Sequence, residues 1–532
     1  MHENGQDRRD GASHARLRET RTLLSAGLAN GPRELLDFIL PLWAGAALGA
    51  SATQVGILVA AELAVSVAAR PVAGVLADTR DRRLVAAAGA VLYALSCVGY
   101  ALAPGLPVAY LSAALGGVGG ALLWVTVRAV IGERLAEDTA VYPRLTAAEE
   151  TGAWVAFAAG LSLFGLADFR SVFLACAAAC VVAAVLLLTA PARIVPPGPA
   201  VAGGTVRRLR PMLVTVAITM AAEAAVGLLL LLHLQHRFDL EIVQIAYVFL
   251  PGAIVMGLLP ERLHRFVLRF GRTRVLATAS LFSAAFAASL AWAPNPWVIA
   301  ALWVLSAAAW AAVIPIQQAV IAEASGAQVG RGMGVYEAAA LLGAMTGSLA
   351  AGVLYDAGSW TVACLALAAV ISLGAFLVPW SVRAVGVADI PVTSAAPEVA
   401  VTSSPLPTLG NPVPPGPEGT PASPRSSEAP PLGARAQTGD KPHEKRTGPP
   451  HPRLRKLGEH TVLFLGVQVV LALLDLSWLR DLTTGSVDPL SGARDEPSNA
   501  LVDVAYGAGR IWVMVFVIDV IWTVVSASRA RR

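Results

Sequence analysis

Apolar stretches of roughly 20 residues recur along this sequence from Leu23 to Val525, each long enough to cross a hydrocarbon core of about 30 Å as a helix. In that solvent every backbone N–H and C=O must find its partner inside the structure, so such stretches fold as helices or close into barrels. Their length and unbroken apolarity select helices. Composition agrees, with 56% hydrophobic residues, only 14% charged residues and a mean hydropathy of +0.63. That is too apolar for a soluble globular domain. The Arg-rich tail before Leu23 and the many stretches after it make the first stretch a span rather than a cleaved signal.

Hydropathy and breakers predict twelve spans before a linker, the first at about 22–47 and the twelfth at about 359–380. Alternate loops carry arginines: Arg80, Arg82 and Arg83, then Arg193, Arg207, Arg208 and Arg210, then Arg262, Arg265, Arg269, Arg272 and Arg274. The opposite loops hold little beyond Arg170 and Arg237. The positive-inside rule then places both termini in the cytoplasm of what the composition suggests is a bacterial cell, with the chain in its plasma membrane. Nearly half of the 35 prolines fall between 386 and 457, a polar stretch with no periodicity that could bury a core. Two more apolar runs follow. The expected organisation is a tail (1–21), a six-helix bundle (22–193), an interdomain loop (194–210), a second six-helix bundle (211–382), a disordered linker (383–457) and a two-helix membrane extension (458–532) that need not dock rigidly.

An internal repeat underlies the two bundles. Ala129-Val130-Ile131-Gly132-Glu133 recurs as Ala319-Val320-Ile321-Ala322-Glu323, an offset of 190 residues. Arg144, Glu150, Gly160 and Gly165 recur as Arg331, Glu337, Gly347 and Gly352 at a slightly shorter offset. Parallel repeats of this kind place a substrate site near the midplane, between the halves.

Between the second and third spans the chain reads Arg70-Pro71-Val72-Ala73-Gly74-Val75-Leu76-Ala77-Asp78-Thr79-Arg80-Asp81-Arg82-Arg83. This resembles the G-x-L-A-D-R-x-G-R-R signature of the major facilitator superfamily, with Thr79 and Asp81 in place of the usual basic residue and glycine. The resemblance covers about residues 20–385 and leaves the extension unrecognised. It implies an all-α polytopic fold of two six-helix bundles, here with two extra helices. It implies a secondary transporter working by alternating access, and a gate built on Gly74, Asp78, Arg82 and Arg83. Likeness to drug-efflux members, and a presumed cavity rich in Ala, Leu and Trp with few fixed hydrogen-bonding groups, suggest a proton-coupled exporter of small hydrophobic or amphipathic compounds. A nontransporting receptor or scaffold on the same fold, and a metabolite importer, are the alternatives.

Ionisable groups at membrane depth mark pathways or partners. Glu34 and Asp37 sit three apart on the first span, where one of two neighbouring carboxylates can bind and release a proton. With Arg128 and Glu223 they are the candidates for the cavity and for proton coupling, against a reading as buried pairs that fix packing. Glu150 with Arg144 and Glu337 with Arg331 are candidates for interdomain ion pairs. Asp475 and Asp519 of the extension either pair with each other or face the bundle. No phosphate-binding glycine loop, metal-ligand spacing or nucleophile elbow is present, so neither enzyme activity, cofactor nor metal is expected. The expected partners are a small-molecule substrate, protons and lipid, without nucleic acid, around a monomer.

Overall fold

The computed structural model describes residues 3–163, 168–192, 204–357, 359–392, 452–473 and 476–484, with further positions between 506 and 523. Regular structure in these residues is helical. The first bundle holds α1 (Glu3–Leu48), α2 (Ala52–Thr79), α3 (Arg82–Leu102), α4 (Leu106–Gly132), α5 (Val141–Leu163) and α6 (Phe169–Thr189). The second holds α7 (Gly204–Arg237), α8 (Ile242–Leu258), α9 (Pro260–Phe270), α10 (Arg272–Ser289), α11 (Pro296–Ser325), α12 (Val329–Ala357) and α13 (Trp360–Ala384). The extension contributes α14 (Pro452–Leu473) and α15 (Trp478–Thr484). Most of the linker, and Asp475 and Asp519, lie outside the described residues.

Among the described residues nine helices are long and apolar enough to cross a membrane, and α8 with α9 make a tenth. The two further spans, α1 and α5, carry Arg33, Glu34 and Asp37 and Glu149 and Glu150 in their apolar stretches. Helices α8 and α9 are bent by 57° at Leu259, where Pro260 has no N–H to continue the ladder. Together they occupy the place that α2 holds in the first bundle.

Local chemistry fixes the helix ends. Asp81, which replaces the signature glycine, caps α3 by accepting from the Arg83 N–H at 3.0 Å. Gly271 takes φ 84° between α9 and α10, a left-handed conformation open to glycine. Asp389, returning after α13, then accepts the Thr273 N–H at 2.7 Å.

Glycines set how closely the spans approach. A Cβ at Gly152 of α5 would run into the Gly27 carbonyl of α1, and one at Gly347 of α12 into the Ala221 carbonyl of α7. Across the two bundles, a Cβ at Gly74 would lie 2.6 Å from the Gly330 carbonyl oxygen. One hydrophobic core, including Trp124, Tyr142, Ile321 and Met333, joins both bundles at the arginine-rich end. Toward the opposite end each bundle keeps its own core, around Trp43 and Phe173 in one and Leu230 and Phe286 in the other. The halves are therefore locked together at the arginine-rich end.

Two expectations change. Helix α1 begins within the presumed tail, because Arg18 and Glu19 find partners: Arg18 pairs with Glu133 at 3.0 Å, and Glu19 pairs with Arg134 and Arg144. The extension is not merely tethered. Ile511 packs on Leu250 and Ile254 of α8.

Candidate functional site

Each signature residue has a definite partner at the arginine-rich end. Both Asp78 oxygens accept backbone N–H groups from the start of α12, Gly330 at 2.8 Å and Arg331 at 2.9 Å. A carboxylate at a helix amino terminus is favoured by the dipole as well as by the two bonds. Arg82 reaches Asp78 at 3.3 Å and Glu133 at 3.0 Å. Arg83 pairs with Asp81 at 3.0 Å and donates to the Ala190 carbonyl. Gly74 lets α2 lie against α12, so that Asp78 can cross between bundles.

The repeat has a structural counterpart. Arg272 pairs with Glu323 of α11 as Arg82 pairs with Glu133, the residue that ends α4, and both pairs keep the offset of 190 residues. Across the other bundle junction Thr139 and His264 of α9 lie 2.9 Å apart.

Between the bundles lies a cavity of about 600 Å³ walled by α1, α2, α4, α5, α7, α8, α11 and α12. Four charged side chains form a network along its wall. Glu337 of α12 pairs with Arg70 of α2 and, at 2.8 Å, with Arg128 of α4, while Arg128 also reaches Glu149 of α5 at 3.3 Å. Three of these come from the first bundle and one from the second, so the network ties the halves together beneath the cavity.

The expected pairings are replaced. Arg144 turns to Glu19 and Asp138 rather than Glu150, because the extended α1 brings Glu19 to it. Arg331 spends its backbone N–H on Asp78, and Glu337 takes Arg70 and Arg128 instead. Arg128 is thus neutralised within the wall rather than standing free. Glu34 lines the central cavity, 3.8 Å from Arg33. Asp37 instead faces a side chamber of about 220 Å³ lined mostly by the first bundle, with Glu62 and Tyr93. Glu223 of α7 lines the cavity, and its buried Oε2 has no hydrogen-bond partner among the described residues. Glu150 lines the same wall.

The cavity is far more charged than the sequence suggests. With the Arg70–Glu337–Arg128–Glu149 network internally neutral, its wall among the described residues keeps one guanidinium, Arg33, against the carboxyl groups of Glu34, Glu150 and Glu223. Phe249, Trp303, Trp310 and Tyr336 supply aromatic surface. Arg33 and Arg70 escaped the sequence reading, although Arg70 opens the signature stretch and Arg33 adjoins Glu34.

Comparison with known proteins gives the family. The Major Facilitator Superfamily model matches residues 22–267 and 262–409. No curated protein matches the sequence. Among solved structures, the human organic anion transporter MFSD10 (TETRAN) is similar with a TM-score of 0.55 at 17% identity, covering 68% of this chain and 99% of that one. The proton:xylose symporter XylE, bound to 6-bromo-6-deoxy-D-glucose, gives 0.54 at 16% identity, covering 69% and 95%. At these identities the two structures speak for the fold alone. Two bundles locked through Gly74 and Asp78 around a shared cavity agree with the matched sequence model: the chain belongs to the major facilitator superfamily, a family of membrane transporters and not of enzymes.

Proposed function

We propose that this transporter exports small amphipathic compounds bearing a positive charge, in exchange for protons, by alternating access across the plasma membrane. The arginine-rich loops favour a cytoplasmic locked end. The observation that carries the reading is the excess of carboxylates over guanidinium on an aromatic cavity wall. An ammonium group gains there from the carboxylates and from the ring faces. Glu223 is the coupling group best supported by its surroundings, since it lines the wall with a buried carboxyl oxygen and without a cationic partner among the described residues. A proton and an ammonium compete for the same carboxylate, and that differential interaction is what exchange requires. Glu34 and Asp37 are the next candidates.

The test uses proteoliposomes with an imposed pH gradient and a panel of amphipathic amines, each paired with its neutral N-acetyl analogue. Amines are expected to accumulate against their gradient and their acetylated partners not. Glu223→Gln is expected to abolish the pH-driven accumulation while keeping downhill exchange. If acetylated compounds move as well as amines, or Glu223→Gln still concentrates them with unchanged pH dependence, the substrate class or the coupling residue is wrong.

Asp78→Asn tests the gate. An amide offers one acceptor where the carboxylate offers two, so one N–H of α12 loses its partner. Hydrogen bonds to a charged group contribute about 1.5–3 kcal/mol. Turnover is expected to fall at least tenfold with expression and amine binding preserved; wild-type turnover would remove Asp78 from the mechanism.

A further inference from the structure

Helix α8 carries two stripes. Phe249, Gly252, Ala253 and Met256 face the central cavity. Tyr247, Leu250 and Ile254, one helical face apart, meet the extension. Ile511 is only 7% exposed and packs on Leu250 and Ile254, and Val515 joins the same cluster. The Arg510 guanidinium lies 3.6 Å over the Tyr247 ring and 5.5 Å from Trp478, and the residue is 2% exposed.

Trp154 of α5, from the other bundle, packs against this cluster too. A Cβ at Gly257 of α8 would lie 3.1 Å from its indole nitrogen. The extension therefore sits where α5 and α8 meet, one of the two seams along which the bundles touch. Its described residues pack on one another: Phe464 stacks on Phe516 at 4.0 Å, and the Trp512 indole donates to His460 at 3.4 Å. A unit packed on α8 beside Trp154 of α5 favours the arrangement in which the seam is seen.

We infer that the two-helix extension is a clamp built into the chain, keyed by Arg510 onto Tyr247, that holds the α5–α8 seam in the arrangement closed at the arginine-rich end and so restrains the opening of that end. The bend below Leu258 puts the part of this span beyond the clamp at an angle to it. The inference uses alternating access but neither the substrate nor the coupling ion.

The test is made on the full chain, with Cys97, Cys176, Cys180 and Cys364 replaced by alanine. Ile254→Cys with Ile511→Cys is expected to cross-link readily with a short bis-methanethiosulfonate, which joins the two thiols through reducible disulfides. Ile254→Cys with Val470→Cys, an exposed position on α14, is not. Opening is read with Gln318→Cys, buried in the cavity wall, by labelling from the arginine-rich side with a membrane-impermeant maleimide. Arg510→Ala and Tyr247→Ala are each expected to speed that labelling about five-fold, the lower end of ordinary allosteric coupling. The 254–511 cross-link is expected to slow it and reduction to restore it, a reading that stands even where Arg510→Ala fails to fold. No cross-link between 254 and 511, or labelling that ignores both the cross-link and the two substitutions, overturns the clamp.

Discussion

Glu337→Ala is expected to destabilise the protein by about 3–5 kcal/mol, the cost of leaving buried charge uncompensated. Its carboxylate sits between the Arg70 and Arg128 guanidiniums, with side chains only 12%, 5% and 9% exposed. Removing it leaves two buried cations facing one another, with Glu149 to balance a single one of them. The measurement is the midpoint of unfolding in a detergent titration. Arg70→Met with Glu337→Met, which removes a cation and an anion together, is expected to lose much less, because the remaining Arg128–Glu149 pair stays neutral. If Glu337→Ala unfolds within about 1 kcal/mol of the parent, the network contributes no more than a surface pair. Because this network also spans both bundles, the double substitution is expected to ease opening of the arginine-rich end even where stability is kept.

Gly152→Leu is expected to prevent assembly of the first bundle. The new Cβ would overlap the Gly27 carbonyl, and one turn along α1 a Cβ on Gly31 would in turn meet the Gly152 carbonyl oxygen at 2.9 Å. Backbone on both sides leaves no flexible side chain to move aside, so α1 and α5 must part along their length. The cost belongs with the rare substitutions above about 4 kcal/mol. Gly347→Leu meets the Ala221 backbone in the same way between α12 and α7. Gly352→Leu, five residues on and with open space around it, is the control. Size-exclusion profiles of fluorescent fusions decide it: a monodisperse Gly152→Leu peak as strong as that of Gly352→Leu would mean the helices separate at little cost.

Much of this was open to the sequence, for identifiable reasons. Spans follow from apolar length, and the two-bundle plan from the recurrence of 129–133 at 319–323. The structure gives that recurrence its meaning, since it ends in Glu133 and Glu323, the partners of Arg82 and Arg272. Ion-pair partners were not legible, because span order does not say which faces meet. Glu337 and Arg331 are neighbours in sequence logic, yet the first turns to α2 and α4 and the second to Asp78. Glu34 and Asp37 show the limit of the shared-face rule. Three residues fall about 60° short of a full turn, enough to send one carboxylate to the central cavity and the other to the side chamber. The eighth span runs on from α8 as α9, because a proline at the first position of a helix starts a new segment as readily as it ends the old one.

Two copies of one bond now serve unequal masters. Arg272–Glu323 is fastened to its own bundle and to the strand of chain returning after α13, through the Ala388 carbonyl. Arg82–Glu133 is wired outward, through Asp78 to α12 and through Arg18 to the leading turns of α1. A carrier made of two interchangeable halves would have no built-in sense of which half is frame and which is mover. Here that sense comes from a single carboxylate: the half that owns Asp78 grips, and the half that offers the amino terminus of α12 is gripped.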